Sequence, residues 1–402
     1  MIHASRVRMS GPLAPHQDTI WAALLVSGYA PDSARNLLRV AAHVSRWLDA
    51  QGLSVEDLTA ARIDAFLRHR RARGYTCWVG PRGLNPILCP LRAQGVLPGP
   101  ELPPEDASPL APLLQDLETY LLEDRGLTVA TVVGRLRLVR RFLAASEVRD
   151  LAAVGRLSTP GISGFILQEA RSLSVGSIKL AVSHLRSFLR FLHVRGLCRQ
   201  LAAAIPAVAG HRLARLPRHI PWGEVRKLLD SCDLRTPAGL RDHAILLLLA
   251  RLALRAGEVA ALELDDIQWA GGAVFVRGKG SRQGWLPLPQ DVGAALARYL
   301  EVGRVRTTSR KLFLNSLAPH GGLGSGTVNS LVQRASRRAG LTGRSAHQLR
   351  HTAATQMLRG GASLQAVAEA LRHRSLDTTA IYAKVDSQAL RHLARPWPGG
   401  GA

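Results

Sequence analysis

The sequence predicts a mainly α-helical fold with a small antiparallel β-sheet, built as helical domains followed by a larger mixed domain. Apolar residues recur at helical spacing across 20–73 and again across 110–206. Two short β-rich runs, around 273–276 and 284–288, flank a glycine-rich turn and predict a hairpin inside an otherwise helical region. A Pro- and Gly-punctuated stretch near 98–109 and a linker from Ala204 rich in Pro, Ala and basic residues divide the chain. The expected division is therefore an N-terminal helical domain at 1–105, a second helical domain at 106–210 and a larger domain at 211–402.

The first domain reads as TIWAALLVSGY, SARNLLRVAAHVSRWLDAQG and ARIDAFLRHRRARG. In the second of these stretches Leu37, Val40, Ala41, Val44, Trp47 and Leu48 share one helical face. The hydrophobic layout then recurs. The stretch beginning SGYAPDSARNLLRV resembles the one beginning RGLTVATVVGRLRL, and LNPILCPLRAQGVL echoes HLRSFLRFLHVRGLC. A degenerate duplication of one small helical unit explains both, and chance likeness of two amphipathic units is the alternative. In SVGSIKLAVSHLRSFLRFLHVRG the core face is Ile178, Val182, Leu185, Leu189 and Leu192. Lys179, Arg186, Arg190 and Arg195 are left as a basic face, either solvated or turned toward a polyanion.

At 402 residues the chain can bury several cores. Its formal net charge is +24 with only 20% charged residues, so the excess is unbalanced rather than spread over a salt-bridged surface. Such a field attracts a polyanion, and nucleic acid is the favoured partner over a ribosomal or membrane-surface role. Cys77, Cys89, Cys198 and Cys232 form no CxxC pair, which argues against a zinc knuckle or a disulfide scaffold and for reduced thiols in a cytoplasm. The N-terminus lacks the apolar core of a signal peptide, and the longest apolar run, 244–250, is too short to span a bilayer. A soluble, cytoplasmic, nucleoid-associated protein is expected.

The densest chemistry lies in SAHQLRHTAATQMLRGGASLQAVAEALRHRSLDTTAIYAKVD, residues 345–386. Ser345, Ser363 and Ser375 are placed to cap three short helices, and Gly360 and Gly361 end the first. His347 and Arg350 stand three apart on one helical face, His373 follows the second helix and Tyr382 lies on the third. Attack on a phosphodiester without a metal needs an oxygen nucleophile, fixed positive charge for the non-bridging oxygens and proton carriers, and these side chains supply that set. Taken singly, each is more commonly a packed or solvated residue. His347 and His351 have a zinc-compatible spacing, but no Glu follows His347 and no third ligand stands nearby, so no metal is expected.

Two further segments complete the pattern. LARLALRAGEVAALELDDI brings Arg255 out of a strongly apolar run, where an ion pair with Glu258 is the purely structural explanation. AVFVRGKGSRQGWLPLP places Lys279 between two glycines in the hairpin turn, either reaching a DNA groove or simply exposed.

HQLRHTAAT followed by LRHRSLDTTAIYAKV resembles the tyrosine recombinase (phage integrase) family, in which an HxxR pair, a later His and a Tyr after a Thr-Thr pair share one site. LRAGEVAALELDDI is similar to the family's first-arginine motif, and RGKGSRQGWLPLP to its lysine hairpin. Ala256, Gly257 and Val259 depart from the first motif, Gln283 and Gly284 from the second, and Arg372 stands where the family usually has Gly. That arginine either adds a phosphate contact or disturbs the site.

The resemblance implies a helical core-binding (SAM-like) domain at 106–210, followed by a catalytic domain whose residues are Arg255, Lys279, His347, Arg350, His373 and Tyr382. It further implies a site-specific recombinase or integrase of a mobile element, acting through a 3′-phosphotyrosyl link at Tyr382, with neither cofactor nor metal nor ATP. Double-stranded DNA is the implied partner, held by a homo-tetramer on two sites. Accessory recombinases or DNA-bending proteins are candidate helpers, and the tail DSQALRHLARPW is a candidate for exchange between neighbours. A type IB topoisomerase-like enzyme and a decayed DNA-binding protein are the alternatives.

Overall fold

The computed structural model describes residues 7–98, 108–209, 219–278, 283–372 and 379. The chain gathers into two compact units, Met1–Gly99 with Arg215–Ala402, and Pro100–Ala214. Among the described residues the fold is helical apart from one small sheet, as the periodicity predicts.

The chain opens with α1 (Gln17–Val26), α2 (Pro31–Asp49), α3 (Ala60–Ala72) and α4 (Pro81–Ala93). Pro31 at the first turn of α2 has the fixed φ a helix start needs. Leu37, Val40, Ala41, Val44 and Leu48 are buried in their own cluster with Ile20, Phe66 and Ile87, and Trp47 packs at its edge. The second unit holds α5 (Ala111–Thr119), α6 (Val129–Ala145), α7 (Leu151–Val154), α8 (Thr159–Ala170) and α9 (Val175–Val194). All five residues of the expected α9 core face are buried, around Phe142 and Phe188. Of the opposite face, Arg195 pairs with Asp116 at 2.7 Å and Arg186 donates to the Ile205 carbonyl at 2.6 Å. Lys179, Arg186 and Arg190 border a cavity of about 330 Å³.

The third core is the largest. It is organised on α11 (Pro237–Arg251), which the apolar run 244–250 makes buried along almost its whole length. Around it lie α10 (Trp222–Asp230), α12 (Ala256–Ala261), α13 (Gln290–Arg298) and α14 (Ser325–Arg338). α15 (Ala346–Arg359) and α16 (Leu364–Ala370) follow. The expected hairpin is present as β2 (Ala273–Arg277) and β3 (Gln283–Pro287), in register from Ala273 opposite Pro287 to Arg277 opposite Gln283. A strand that the sequence did not announce, β1 (Ile267–Gln268), pairs antiparallel with β2. It is only two residues long, below any readable alternation. No helix among the described residues is long and apolar enough to cross a membrane.

Candidate active site

The site is assembled where α12, β2, α14 and α15 meet. Arg255 ends the apolar stretch 252–254, whose residues are all buried, and stands at the N-cap of α12. Glu258 turns back to accept the Arg255 backbone N–H at 2.9 Å and its guanidinium at 2.6 Å. The ion pair that composition alone would invoke is therefore real. Yet the Arg255 side chain keeps 39% exposure, so its fork also faces a cavity.

Across the cavity, Ser345 caps α15 with its hydroxyl, and Gln348 reaches back to the Ser345 N–H at 2.9 Å. This capping box fixes the helix start, which sets the direction of His347 and Arg350. Thr352, one turn further, accepts from the Ile220 N–H at 2.7 Å and ties the buried face of α15 to the start of this core. Arg350 is 3% exposed. Its guanidinium donates to the Ala253 carbonyl, just before Arg255, and to the Leu371 carbonyl, two residues before His373. One buried arginine thus links three sequence-distant motifs.

Arg255, His347 and Arg350 border a single cavity of about 570 Å³. Gly278, the residue before Lys279, lines the same cavity, as do Arg277, Ser325 and Asn329. The expected trio at Lys279, His373 and Tyr382 lies outside the described residues, as does the Ser375 cap. Of the last segment only Thr379 is described, and it is buried.

Sequence reasoning named Glu258 as a partner of Arg255 but missed that it is the centre of a wider charge network. Glu258, 4% exposed, accepts from Arg372 as well as Arg255, at 2.6 Å, and stands 3.9 Å from Arg350. Burial pushes its carboxyl up, but the Arg255 N–H, Arg372 and the Arg255 guanidinium together outweigh that and hold it below the usual carboxylate range. Arg372 therefore faces Glu258, an arrangement neither reading of the sequence anticipated. Its φ of 51° also explains why glycine suits this position, since side chains with a Cβ rarely adopt that region. Ala253 is left-handed too, at φ 53°. Strained backbone of this kind persists where surrounding contacts over-determine it, and both residues flank carbonyls or charges of the Arg350–Glu258 network.

His347 and His351 meet at 2.9 Å between their Nε2 atoms, with rings edge to face. The packed protein around the His347 ring disfavours its charged form, and Arg350 and Arg255 depress its pKa further. Burial, then His347, Arg350 and His219, lower that of His351 to about 4. Both rings are thus neutral near pH 7, one donating to the other. Among the described residues no three of His, Cys, Asp and Glu gather as a metal site.

An arginine pair and a neutral histidine about one cavity, on a helical scaffold with one small hairpin, agree with the class to which the relatives of this chain belong. The chain is a tyrosine recombinase, an enzyme of the phage integrase family that breaks and rejoins DNA strands. Residues 219–389 match the pattern of that family. The chain is 38% identical to the protein y4rA of Sinorhizobium fredii, an integrase/recombinase by name, over 97% of this chain and 95% of that one. It is 33% identical to tyrosine recombinase XerD of Mycobacterium tuberculosis, over 72% of this chain and 97% of the relative.

Among solved structures the fold is similar to XerH site-specific recombinase bound to its palindromic difH substrate. That likeness has a TM-score of 0.55 at 20% identity, covering 82% of this chain and 93% of that one. It is also similar to a λ integrase tetramer bound to a Holliday junction, with a TM-score of 0.54 at 18% identity, covering 75% and 87%.

Proposed function

We propose that the chain is a site-specific recombinase or integrase of a mobile element, and that it cleaves double-stranded DNA through a 3′-phosphotyrosyl link at Tyr382. The observation that carries this reading is the shared cavity of Arg255, His347 and Arg350, with Gly278 on its wall and the Leu371 carbonyl bound to Arg350. Lys279 and His373 follow those last two residues closely in the chain. In this reading Arg255 and Arg350 donate to the non-bridging oxygens of the scissile phosphate, for which a planar fork suits them. The Tyr382 oxygen attacks phosphorus, and the bond to the 5′ oxygen breaks. A phenol of pKa about 10 needs a base near neutral pH, and neutral His347 takes its proton. Lys279 protonates the departing 5′ oxygen, and His373 donates to the phosphate. Attack by a 5′-hydroxyl of the partner strand reverses the step, so the bond energy is retained and neither ATP nor metal enters the balance.

The two helical units extend the reading. Helices α2, α3 and α4 follow one another as α6, α8 and α9 do, which supports the N-terminal unit as a degenerate copy of the core-binding unit at 106–210. The basic face of α9 supports phosphate contacts there. A homo-tetramer on two sites accords with strand exchange, and an enzyme acting on chromosomal or element DNA belongs in the cytoplasm, at the nucleoid.

The test is covalent trapping. A duplex from the ends of the encoding element, nicked beside the cleavage point, loses its short flank and cannot be religated. A denaturant-resistant protein–DNA band without added metal, absent in Tyr382→Phe, is the expected result. Tight binding with no band in the parent overturns the nucleophile assignment and favours a decayed binder. A band accompanied by relaxation of supercoils but no joining of two sites favours the topoisomerase alternative.

A further inference from the structure

The N-terminal helices carry a second cationic site, on residues that the cleavage chemistry does not use. Arg70, in the last turn of α3, is 6% exposed. Its Nε donates to the Cys77 carbonyl at 3.3 Å, and its guanidinium lies 4.1 Å from the centre of the Tyr75 ring. Its Nη1 is buried with no hydrogen-bond partner among the described residues. A buried donor left unpaired is unfavourable, and more so when it is charged.

Arg70 borders a cleft of about 480 Å³ whose rim is formed by exposed Arg46 and Arg73. Neither of these arginines makes an ion pair among the described residues, and no carboxylate lines the cleft. Trp47 and Tyr75 supply aromatic walls. The field there is positive enough that, after burial, Arg46, Arg70 and Arg73 all depress the pKa of neighbouring His43.

A simpler explanation is that cations suit a helix C-terminus, where the dipole stabilises them. That accounts for Arg71, which donates to the Val79 carbonyl at 2.7 Å. It does not account for a buried arginine on the wall of a cleft that no carboxylate lines.

We propose that this cleft binds a phosphate, with Arg70 as the buried donor, Arg46 and Arg73 as flanking charges, and the aromatic walls against the attached sugar. A duplex backbone and a free nucleotide share that chemistry. Unpaired arginines on an exposed rim favour the duplex, and the choice of DNA as the source rests on the recombinase reading.

The test measures binding of the full chain to a long duplex at several salt concentrations. The Arg46→Ala/Arg73→Ala double variant is compared with Arg62→Ala/Arg68→Ala, which removes equal charge from exposed positions of α3 outside the cleft. The cleft variant should weaken binding and lower the slope of log K against log salt by about 1 for each phosphate no longer neutralised. The control should keep the parent slope. Arg70→Gln should act like the cleft variant. If it fails to fold, the exposed pair still decides.

An unchanged slope in the cleft variant, or an equal loss in the control, overturns the site. A nucleotide monophosphate that raises the melting temperature of the parent but not of the cleft variant, with DNA slopes equal, overturns the DNA assignment. Because binding is read without cleavage, a failed Tyr382 trap leaves this outcome independent.

Discussion

Arg372 shows how one side chain can be strained and useful together. It holds a left-handed backbone at φ 51° while its guanidinium reaches buried Glu258 at 2.6 Å. Arg372→Ala loses the charge-assisted bond and keeps the strain, so it should destabilise by about 1.5–3 kcal/mol. Arg372→Gly loses the same bond but accepts the φ, and should be milder by about 1–2 kcal/mol. Denaturant titration of both variants checks the order, and Gly proving worse than Ala would sink the account.

His351 makes the pH prediction. Its folded pKa of about 4 lies below the ordinary histidine value of 6.5, so the unfolded chain binds the proton more readily. The stability it contributes is complete above about pH 6.5 and is lost as pH falls toward 4. His351→Gln, which cannot titrate, should lose melting temperature less steeply across that window than the parent. Parallel curves would remove His351 as the cause.

At the scale of elements, local signals placed α15 correctly, and packing gave it its task. The Ser345 cap, the Gly360 stop and the Ser363 cap of α16 are all present as the sequence predicts. Ser345→Ala should cost about 1 kcal/mol by orphaning the Gln348 N–H. Because the cap sets the first turn, which carries His347, cleavage should fall more in this variant than in Leu364→Ala, on the exposed start of α16. Single-turnover cleavage with matched circular dichroism checks this, and equal losses would count against a positioning role for the cap. The hairpin was legible because alternating β-formers bracket glycines. The two-residue β1 was not, since its pairing exists only once β2 lies beside it.

For the whole molecule, the order of residues was enough to define the helical class, the small sheet, the positive field and the side chains worth testing. Those properties are local or additive: periodicity marks a buried face, capping residues mark helix ends, and charges sum regardless of fold. Which groups converge depended on the folded chain. Ala253 and Glu258 lie far in the sequence from Arg350 and Leu371, yet the four share hydrogen bonds and ion pairs in one buried network. No periodicity announces that Glu258 would hold Arg255 and Arg372 together, because a buried carboxylate is stable only once its partners have been brought to it. Nor could the sequence distinguish Arg70 from the other arginines of α3. Its burial beneath Tyr75, with Nη1 unpaired, arises only when the segment after the helix folds back over it.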